Sequence, residues 1–364
     1  MIRRINRFLT RTLDAIKVSR RIAPLYSPLL WRMVRRANKL YRTRRFAPIE
    51  AFRLGLLHPQ CPCGAEAGFV SRWEMTKVQK ALNPESLEYM LKDKGVFYRH
   101  CISHGLPIPK LYALIMPGGA GWCADGSSPT SRQEWANRFS STLPNEFIIK
   151  PIRGTVAEGF DILTRCDGGF RDTKGRRWTA DALAERLLQK TSGDGWVLQE
   201  RLKSHPDICR LSGVEYLQCI RIVTLIDKQG NCRIILGEMR MIVDERISDN
   251  EMVDMSGSTE LPINLTDGRT GAGIHITGDG LGPHTYTHHP KTHLPLVGFQ
   301  VPRWNQACEL VSKAAIVFLP IRTIGWDVAV TPEGLYLVEG NIWWNNGKKH
   351  AGFRQVIDFM RQQT

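Results

Sequence analysis

Between Gly325 and Asn341 the chain reads Gly-Trp-Asp-Val-Ala-Val-Thr-Pro-Glu-Gly-Leu-Tyr-Leu-Val-Glu-Gly-Asn, two β-rich runs around Thr331-Pro-Glu-Gly334. That pattern is a hairpin, and it constrains the rest of the molecule more than any other stretch. A turn symmetric about Glu333 sets Asp327 opposite Glu339. Opposed residues bring their Cβ atoms to about 4.5–5.5 Å, and two carboxylates that close repel unless a cation lies between them. Asn341 follows Glu339 by two residues and shares its face. The flanking strands are largely apolar, so the pair belongs to a buried sheet rather than to an exposed ribbon. Hard oxygens from Asp327, Glu339 and Asn341 on one face suit Mg²⁺, which takes one or two carboxylates and completes its shell with water and nucleotide phosphates.

A Mg²⁺ site implies phosphate. Lys150 ends the β-branched run Phe147-Ile-Ile-Lys-Pro151, and a loop with Gly154 and Gly159 follows before the next strand, Phe160–Thr164. Glycines let backbone N–H groups approach phosphate closely, and the lysine supplies a point charge. The segment is not a Walker A loop, because no Gly-Lys-Ser/Thr follows, and the dinucleotide fingerprint is absent too. Arg221 and Arg240 lie inside β-rich runs, where a buried guanidinium is costly unless paired. A sheet face lining a phosphate cleft accounts for both.

Charge divides the chain unequally. Residues 1–45 hold fourteen Lys or Arg against one acid, Asp14, a net of +13; of the chain's +15 that leaves +2 for residues 46–364. Ile2, Ile5, Leu9, Leu13 and Ile16 recur at helical spacing, which predicts an amphipathic helix, and a second basic helical stretch runs from about Leu29 to Tyr41. The stripe either docks on the protein body or rests on anionic lipid, and the charge of the arm suits an anionic membrane surface, with nucleic acid as the lesser alternative. No stretch approaches the ~18 apolar residues of a spanning helix. Nine scattered cysteines and no secretory leader pattern predict a reducing, cytoplasmic setting, where the arm would meet the inner face of the cell membrane. The histidines between Gly271 and His293 lack regular ligand spacing and predict a long surface loop, and Cys61-Pro-Cys63 departs from zinc-ligand spacing.

Further motifs join these in a fixed order: Asp93-Lys94, Gly105-Leu-Pro-Ile-Pro109, Val197-Leu-Gln-Glu-Arg-Leu202, Ile220-Arg-Ile-Val-Thr224, Met239-Arg240, Asp249-Asn250 and His289-Pro290. Over about residues 90–345 the series resembles the ATP-grasp enzymes, and among them the sugar-transfer-associated ATP-grasp family. The resemblance implies an α+β ATP-grasp fold, two α+β lobes enclosing an ATP cleft. The expected division is a basic helical extension at 1–50, a helical lead-in at 51–145, a nucleotide-binding lobe at 146–202 and a C-terminal lobe with the Mg²⁺ site at 203–364. Lys94, Lys150, Gly154 and Gly159 would contact nucleotide phosphates; Gln199 to Leu202 would form the hinge beside adenine, with Glu200 near adenine or ribose. Arg221 and Arg240 would face the γ-phosphate and the acyl group, joining Lys150 as catalytic residues, while Asp327, Glu339 and Asn341 would hold Mg²⁺. The implied reaction joins a carboxylate to an amine or similar nucleophile through an acylphosphate, with ATP as partner and a cell-surface saccharide precursor as the substrate class. The rival reading is a nucleic-acid-binding protein whose body is a degenerate nucleotide-binding module. Ala157 and Ser256-Gly-Ser258 depart from the family's more glycine-rich loops.

Overall fold

A computed structural model describes residues 2–24, 27–154, 160–189, 195–243, 258–276, 279–345 and 353–364, with the side chains of residues 2–9 and 258 left aside. Gly159, Ala157, Asp249, Asn250 and most of Ser256-Gly-Ser258 fall outside the described residues.

Three helices come first: α1 (Ile2–Ser19), α2 (Pro28–Arg44) and α3 (Pro48–Arg53). Proline at the first position of α2 has no N–H to orphan, and Ser27 Oγ accepts from Leu30 N at 3.2 Å, so the helix starts where the sequence supplies both signals. Ala15, Val18, Leu30, Met33, Val34, Ala37, Leu40, Phe46, Phe52 and Leu57 form one buried cluster across these helices. Among the described residues of the apolar stripe expected on α1, Ile16 packs against this cluster and Leu13 faces away from it. Ala15 and Val18 are buried while Leu13 is 65% exposed, and Ile16 lies at the margin. The stripe's members Ile2, Ile5 and Leu9 have side chains outside the description.

Three helical segments follow, α4 (Arg72–Leu82), α5 (Tyr89–Lys92) and α6 (Lys94–Ser103). The first sheet is built from β1 (Leu111–Ile115), β2 (Gly121–Cys123), β3 (Glu146–Pro151), β4 (Asp161–Cys166), β5 (Gly169–Asp172), β6 (Arg177–Trp178) and β7 (Trp196–Glu200), in the order β2-β1-β7-β3-β4-β5-β6. Helices α7 (Arg132–Ser141) and α8 (Ala180–Leu188) cover one face, where Trp135, Phe139, Leu183 and Leu187 meet Phe147, Ile149, Leu163 and Leu198. The two-residue period of a strand turns Lys150 and Gln199 to the opposite face.

After α9 (Pro206–Ser212), the second sheet takes β8 (Ile220–Ile226), β9 (Cys232–Ile242), β10 (Ser258–Pro262), β11 (Gly273–Ile276), β12 (Pro283–Tyr286), β13 (Thr323–Val330) and β14 (Leu335–Asn341), ordered β12-β11-β10-β9-β8-β13-β14. Helix α10 (Trp304–Val317) covers one face, and α4 with the final helix α11 (Phe353–Gln362) covers part of the other. Among the described residues every strand pair in both sheets is antiparallel, which makes the architecture α+β rather than doubly wound. The largest core cluster bridges the sheets, with Leu111, Leu114, Ile152 and Val197 from the first and Ile220, Ile222, Trp326 and Val328 from the second.

The histidine-rich stretch expected as a loop and a Gly/Ser/Pro-rich segment both contain strands. The Gly/Ser/Pro-rich segment Pro117–Ser131 carries β2, paired to β1 through Leu114↔Trp122, and the histidine-rich segment carries β11 and β12, paired through His275↔His284. All three strands are short, β2 and β12 at the sheet edges, and too brief to show alternation in sequence. The N-terminal cluster docks nearby: Ile276 packs against it, and Gly55 (φ +69°) runs so close to Leu281 that a Cβ there would lie 2.6 Å from its carbonyl oxygen.

Candidate functional site

The hairpin's geometry contains a correction that decides the site. Val330 pairs with Leu335 and Val328 with Leu337, so an unbroken ladder would set Asp327 opposite Val338. A register shift between Asp327 and Val328 inserts Val338 as an extra residue, and the observed pair is Asp327↔Glu339. The symmetric turn assumed from sequence reaches the right partner because this bulge supplies one residue. Asn341 then stands opposite Gly325, with its Nδ2 3.4 Å from Asp327 Oδ2.

Directly opposed residues of an antiparallel ladder share a face, and the registers Glu260↔Arg240, Arg221↔Glu238, Asp327↔Arg221 and Asp327↔Glu339 therefore draw a polar belt across β10, β9, β8, β13 and β14. Glu238 is fully buried, and Arg221 and Glu260 nearly so. Arg221 grips Asp327 with two bonds, Nε to Oδ1 at 2.6 Å and Nη2 to Oδ2 at 2.8 Å. Burial alone would raise the Asp327 carboxyl, but Arg221, Arg240 and the Asn341 amide outweigh it and hold the group below the ordinary aspartate range. Arg240 lies two residues beyond Glu238 on the same face, and its buried Nε has no hydrogen-bond partner among the described residues.

The two lysines approach from the other lobe and from α6. Asp93 caps α6 by accepting from Val96 N at 3.0 Å, which sets Lys94 at the first helical position. Lys94 Nζ reaches Gly154 O at 3.3 Å and Glu339 Oε1 at 3.8 Å. Lys150 Nζ donates to the Tyr98 hydroxyl at 2.6 Å. Burial first, then the charge of Lys94, lower Lys150 to about 7, against the opposing pull of Glu339 and Asp327. Gln199 is buried with its Oε1 unpartnered, while Glu200 uses Oε2 to accept from Lys110 N at 3.1 Å. Leu202 is buried in the connection between the sheets.

Lys94, Lys150, Asp327, Glu339 and Asn341 thus gather between the sheets, with Arg221 and Arg240 behind the carboxylates. Arg221, expected toward a phosphate, has its guanidinium on Asp327 instead. Glu238, Glu260 and Tyr98 were not singled out from sequence. Glu238 had a signal, since it precedes Arg240 by two residues in a strand; Tyr98 had none beyond lying one helical turn after Lys94. The donor set fits Mg²⁺, being two carboxylates and an amide with no soft ligand. Among the described residues no group of three or more His, Cys, Asp and Glu could hold a metal, the histidine-rich stretch and the Cys61–Cys63 region included. All nine cysteines are free thiols.

The family model described as "Sugar-transfer associated ATP-grasp" matches residues 74–349, roughly three quarters of the chain. Among solved structures, similar ones include biotin carboxylase from Campylobacter jejuni in complex with a β,γ-ATP analogue (11% identity, 75% of this chain and 46% of that one, TM-score 0.43). D-alanyl-alanine synthetase A from Vibrio cholerae matches with 11% identity over 75% of this chain and 65% of that one, TM-score 0.41. The ATP-grasp ligase PsnB, solved with a precursor variant, Mg and ADP, matches with 13% identity over 78% and 61%, TM-score 0.39. The chain spans about half the length of several of the structures it matches. No curated protein matches it.

Proposed function

The chain belongs to the sugar-transfer-associated ATP-grasp family and has its α+β fold, and on that footing we propose that it is an ATP-dependent ligase joining a carboxylate to an amine or similar nucleophile through an acylphosphate. The observation that carries the reading is the gathering of Lys94 and Lys150 about the Asp327↔Glu339 pair, with Lys94 3.8 Å from Glu339. In this reading a substrate carboxylate oxygen attacks the γ-phosphorus and ADP leaves. The nucleophile then attacks the acyl carbon and phosphate leaves. Lys94 and Lys150 hold the transferring group and offset its charge from fixed positions, which act without reorganisation in a dry cleft. Mg²⁺ held by Asp327, Glu339 and Asn341 would neutralise and align the phosphates. Arg240, with an unpartnered Nε, faces the anionic acyl group, and Arg221 keeps the Asp327 carboxylate ionised and oriented. Gln199 and the connection to Leu202 border the adenine, and Gly154 leads into the phosphate loop.

A saccharide precursor, or an amino acid attached to one, is the acceptor class suggested by the family's description. The test is a product screen of amino acids and uronic acids against amino sugars. ADP and phosphate are the expected products, and added hydroxylamine should trap a hydroxamate. AMP with pyrophosphate would point to adenylation and overturn the mechanism.

The basic helices suggest where the enzyme works. Trp31, Arg32, Arg35, Lys39 and Arg42 are exposed on α2 opposite its buried Leu30, Met33, Val34, Ala37 and Leu40. Other basic residues serve the helices themselves: Arg11 donates to Asn38 Oδ1 at 3.0 Å and lies over the Tyr41 ring, and Arg36 reaches the carbonyls of Cys61 and Pro62. An outward basic face with one tryptophan fits the anionic inner surface of the cell membrane. Among the described residues no helix is long and apolar enough to cross a membrane, so contact would be peripheral. Sedimentation with anionic liposomes, set against filter binding to RNA and DNA, separates this reading from the nucleic-acid one.

A further inference from the structure

Tyr98 lies one turn after Lys94 on α6, 1% exposed, its ring edge-on to Phe97 at 5.3 Å between centroids. Its hydroxyl does two things at once. It accepts from Lys150 Nζ at 2.6 Å and donates to the backbone carbonyl of Val338 at 2.7 Å. The lysine ammonium also stands 5.0 Å from the centre of the same ring. Val338 is the residue inserted between the pairs Val328↔Leu337 and Asp327↔Glu339. A bulged residue drops out of the ladder, and a buried carbonyl so released needs another donor. Remove the bulge and the register returns Val338 to the place opposite Asp327, sending Glu339 to the other face of the sheet.

We propose that Tyr98 is the positioning residue that couples the two halves of the site, holding the phosphate-binding lysine and the bulge that presents Glu339 as one hydrogen-bonded unit. The proposal rests on the ATP-site reading given above. It differs from ordinary core packing in a definite way, because a tyrosine kept for its ring alone would be served equally by phenylalanine. The hydroxyl joins residues from three separate elements, α6, β3 and β14, and none of these contacts is local in sequence.

The experiment is a double-mutant cycle on MgATP binding by calorimetry, using the full chain. Tyr98→Phe should raise the dissociation constant about tenfold and raise the Mg²⁺ concentration needed for half-maximal binding, with thermal unfolding still cooperative. Lys150→Met should weaken binding by itself, and adding Tyr98→Phe to it should cause less than a further twofold loss, since coupled residues are not additive. An unchanged dissociation constant in Tyr98→Phe, or effects that multiply in the double variant, would overturn the proposal. Wild-type protein that binds no MgATP would instead overturn the ATP-site reading, and with it this inference. A second measurement leaves Tyr98 intact: hydrogen exchange of residues 335–341 should quicken in Lys150→Met if lysine and bulge form one unit. Protection equal to that of the wild type would count against it.

Discussion

The polar belt between the sheets and the basic helices at the N-terminus both concentrate charge, and they use it in opposite ways. The belt and the lysines facing it set Glu238, Glu260, Asp327 and Glu339 against Arg221, Arg240, Lys94 and Lys150, four acids with four bases in a largely buried space. The N-terminal segment sets fourteen bases against one acid and turns much of that charge outward. A buried ion cannot stay unpaired without a cost of several kcal/mol, so each belt residue is fixed by its neighbours. An exposed ion is solvated and screened, and no such matching constrains it. Charge that is paired in the interior therefore marks a place where geometry matters, while unmatched surface charge marks attraction at longer range.

The largest test of the contrast is removal of the carboxylates proposed to hold Mg²⁺. Asp327→Asn and Glu339→Gln should each lower Mg²⁺-dependent ATP turnover at least ~100-fold. The two should differ in stability, however. Asp327→Asn strips the buried Arg221 of its anionic partner and should lower the melting temperature measurably, whereas Glu339, more open to solvent, should not. Equal melting temperatures together with full activity would remove the belt from the mechanism.

Next in size is Lys150. Its substitution by methionine should weaken ATP binding by about tenfold or more, because a phosphate-facing point charge is lost. The sign of the pH dependence follows from its lowered value of about 7. Free protein carries the charged lysine below that pH and loses it above, so ATP affinity should fall as pH rises from 6 to 8, by up to about tenfold. Folding stability runs the other way: the unfolded lysine binds its proton up to about 10.4, so this group makes stability rise with pH above 7. Calorimetric titrations across that range should show the slope in ATP affinity shrink in Lys150→Met.

Charge reversal on the outer face of α2 comes third. Arg32→Glu with Arg35→Glu and Lys39→Glu should release the protein from anionic liposomes, since each basic residue near such a surface contributes on the order of 1 kcal/mol. ATP turnover on a water-soluble acceptor should be unchanged. Loss of turnover along with liposome binding would mean that the helices serve the site and not a surface.

How much of this was legible follows the same division. The hairpin, its facing carboxylates and the β8–β9 hairpin could be read from alternating runs and turn residues, because those strands are long and their ladders local. The bulge at Val338 could not, since a one-residue insertion leaves the apolar pattern of Leu335–Val338 intact. Tyr98 enters the site through a contact distant in sequence, with Lys150 and Val338, which single-strand periodicity does not carry. The partner of Arg221 was equally hidden, for sequence gives the cost of burying a guanidinium and not the group that offsets it. In α1 the helix was legible from its spacing but its packing face was not: Ala15 and Val18 are buried against α2 and α3 with Ile16 at their margin, while Leu13 stays exposed.

The contrast between Leu13 and Ala15 supplies the smallest expected effect. Leu13 is 65% exposed, so Leu13→Asp removes apolar surface that already faces water and should change folding stability by less than about 0.5 kcal/mol. Ala15, two residues on, is fully buried against α2 and α3, and Ala15→Asp would force a carboxylate into that core with no partner for it. The contrast between the two variants is the measurement. If Leu13 lies on lipid, Leu13→Asp should weaken liposome binding at high salt as well as low, because apolar burial is not screened, while its melting temperature stays that of the wild type. If Leu13→Asp instead lowers the melting temperature as far as Ala15→Asp does, the stripe packs against the protein in solution and the membrane face of α1 does not exist.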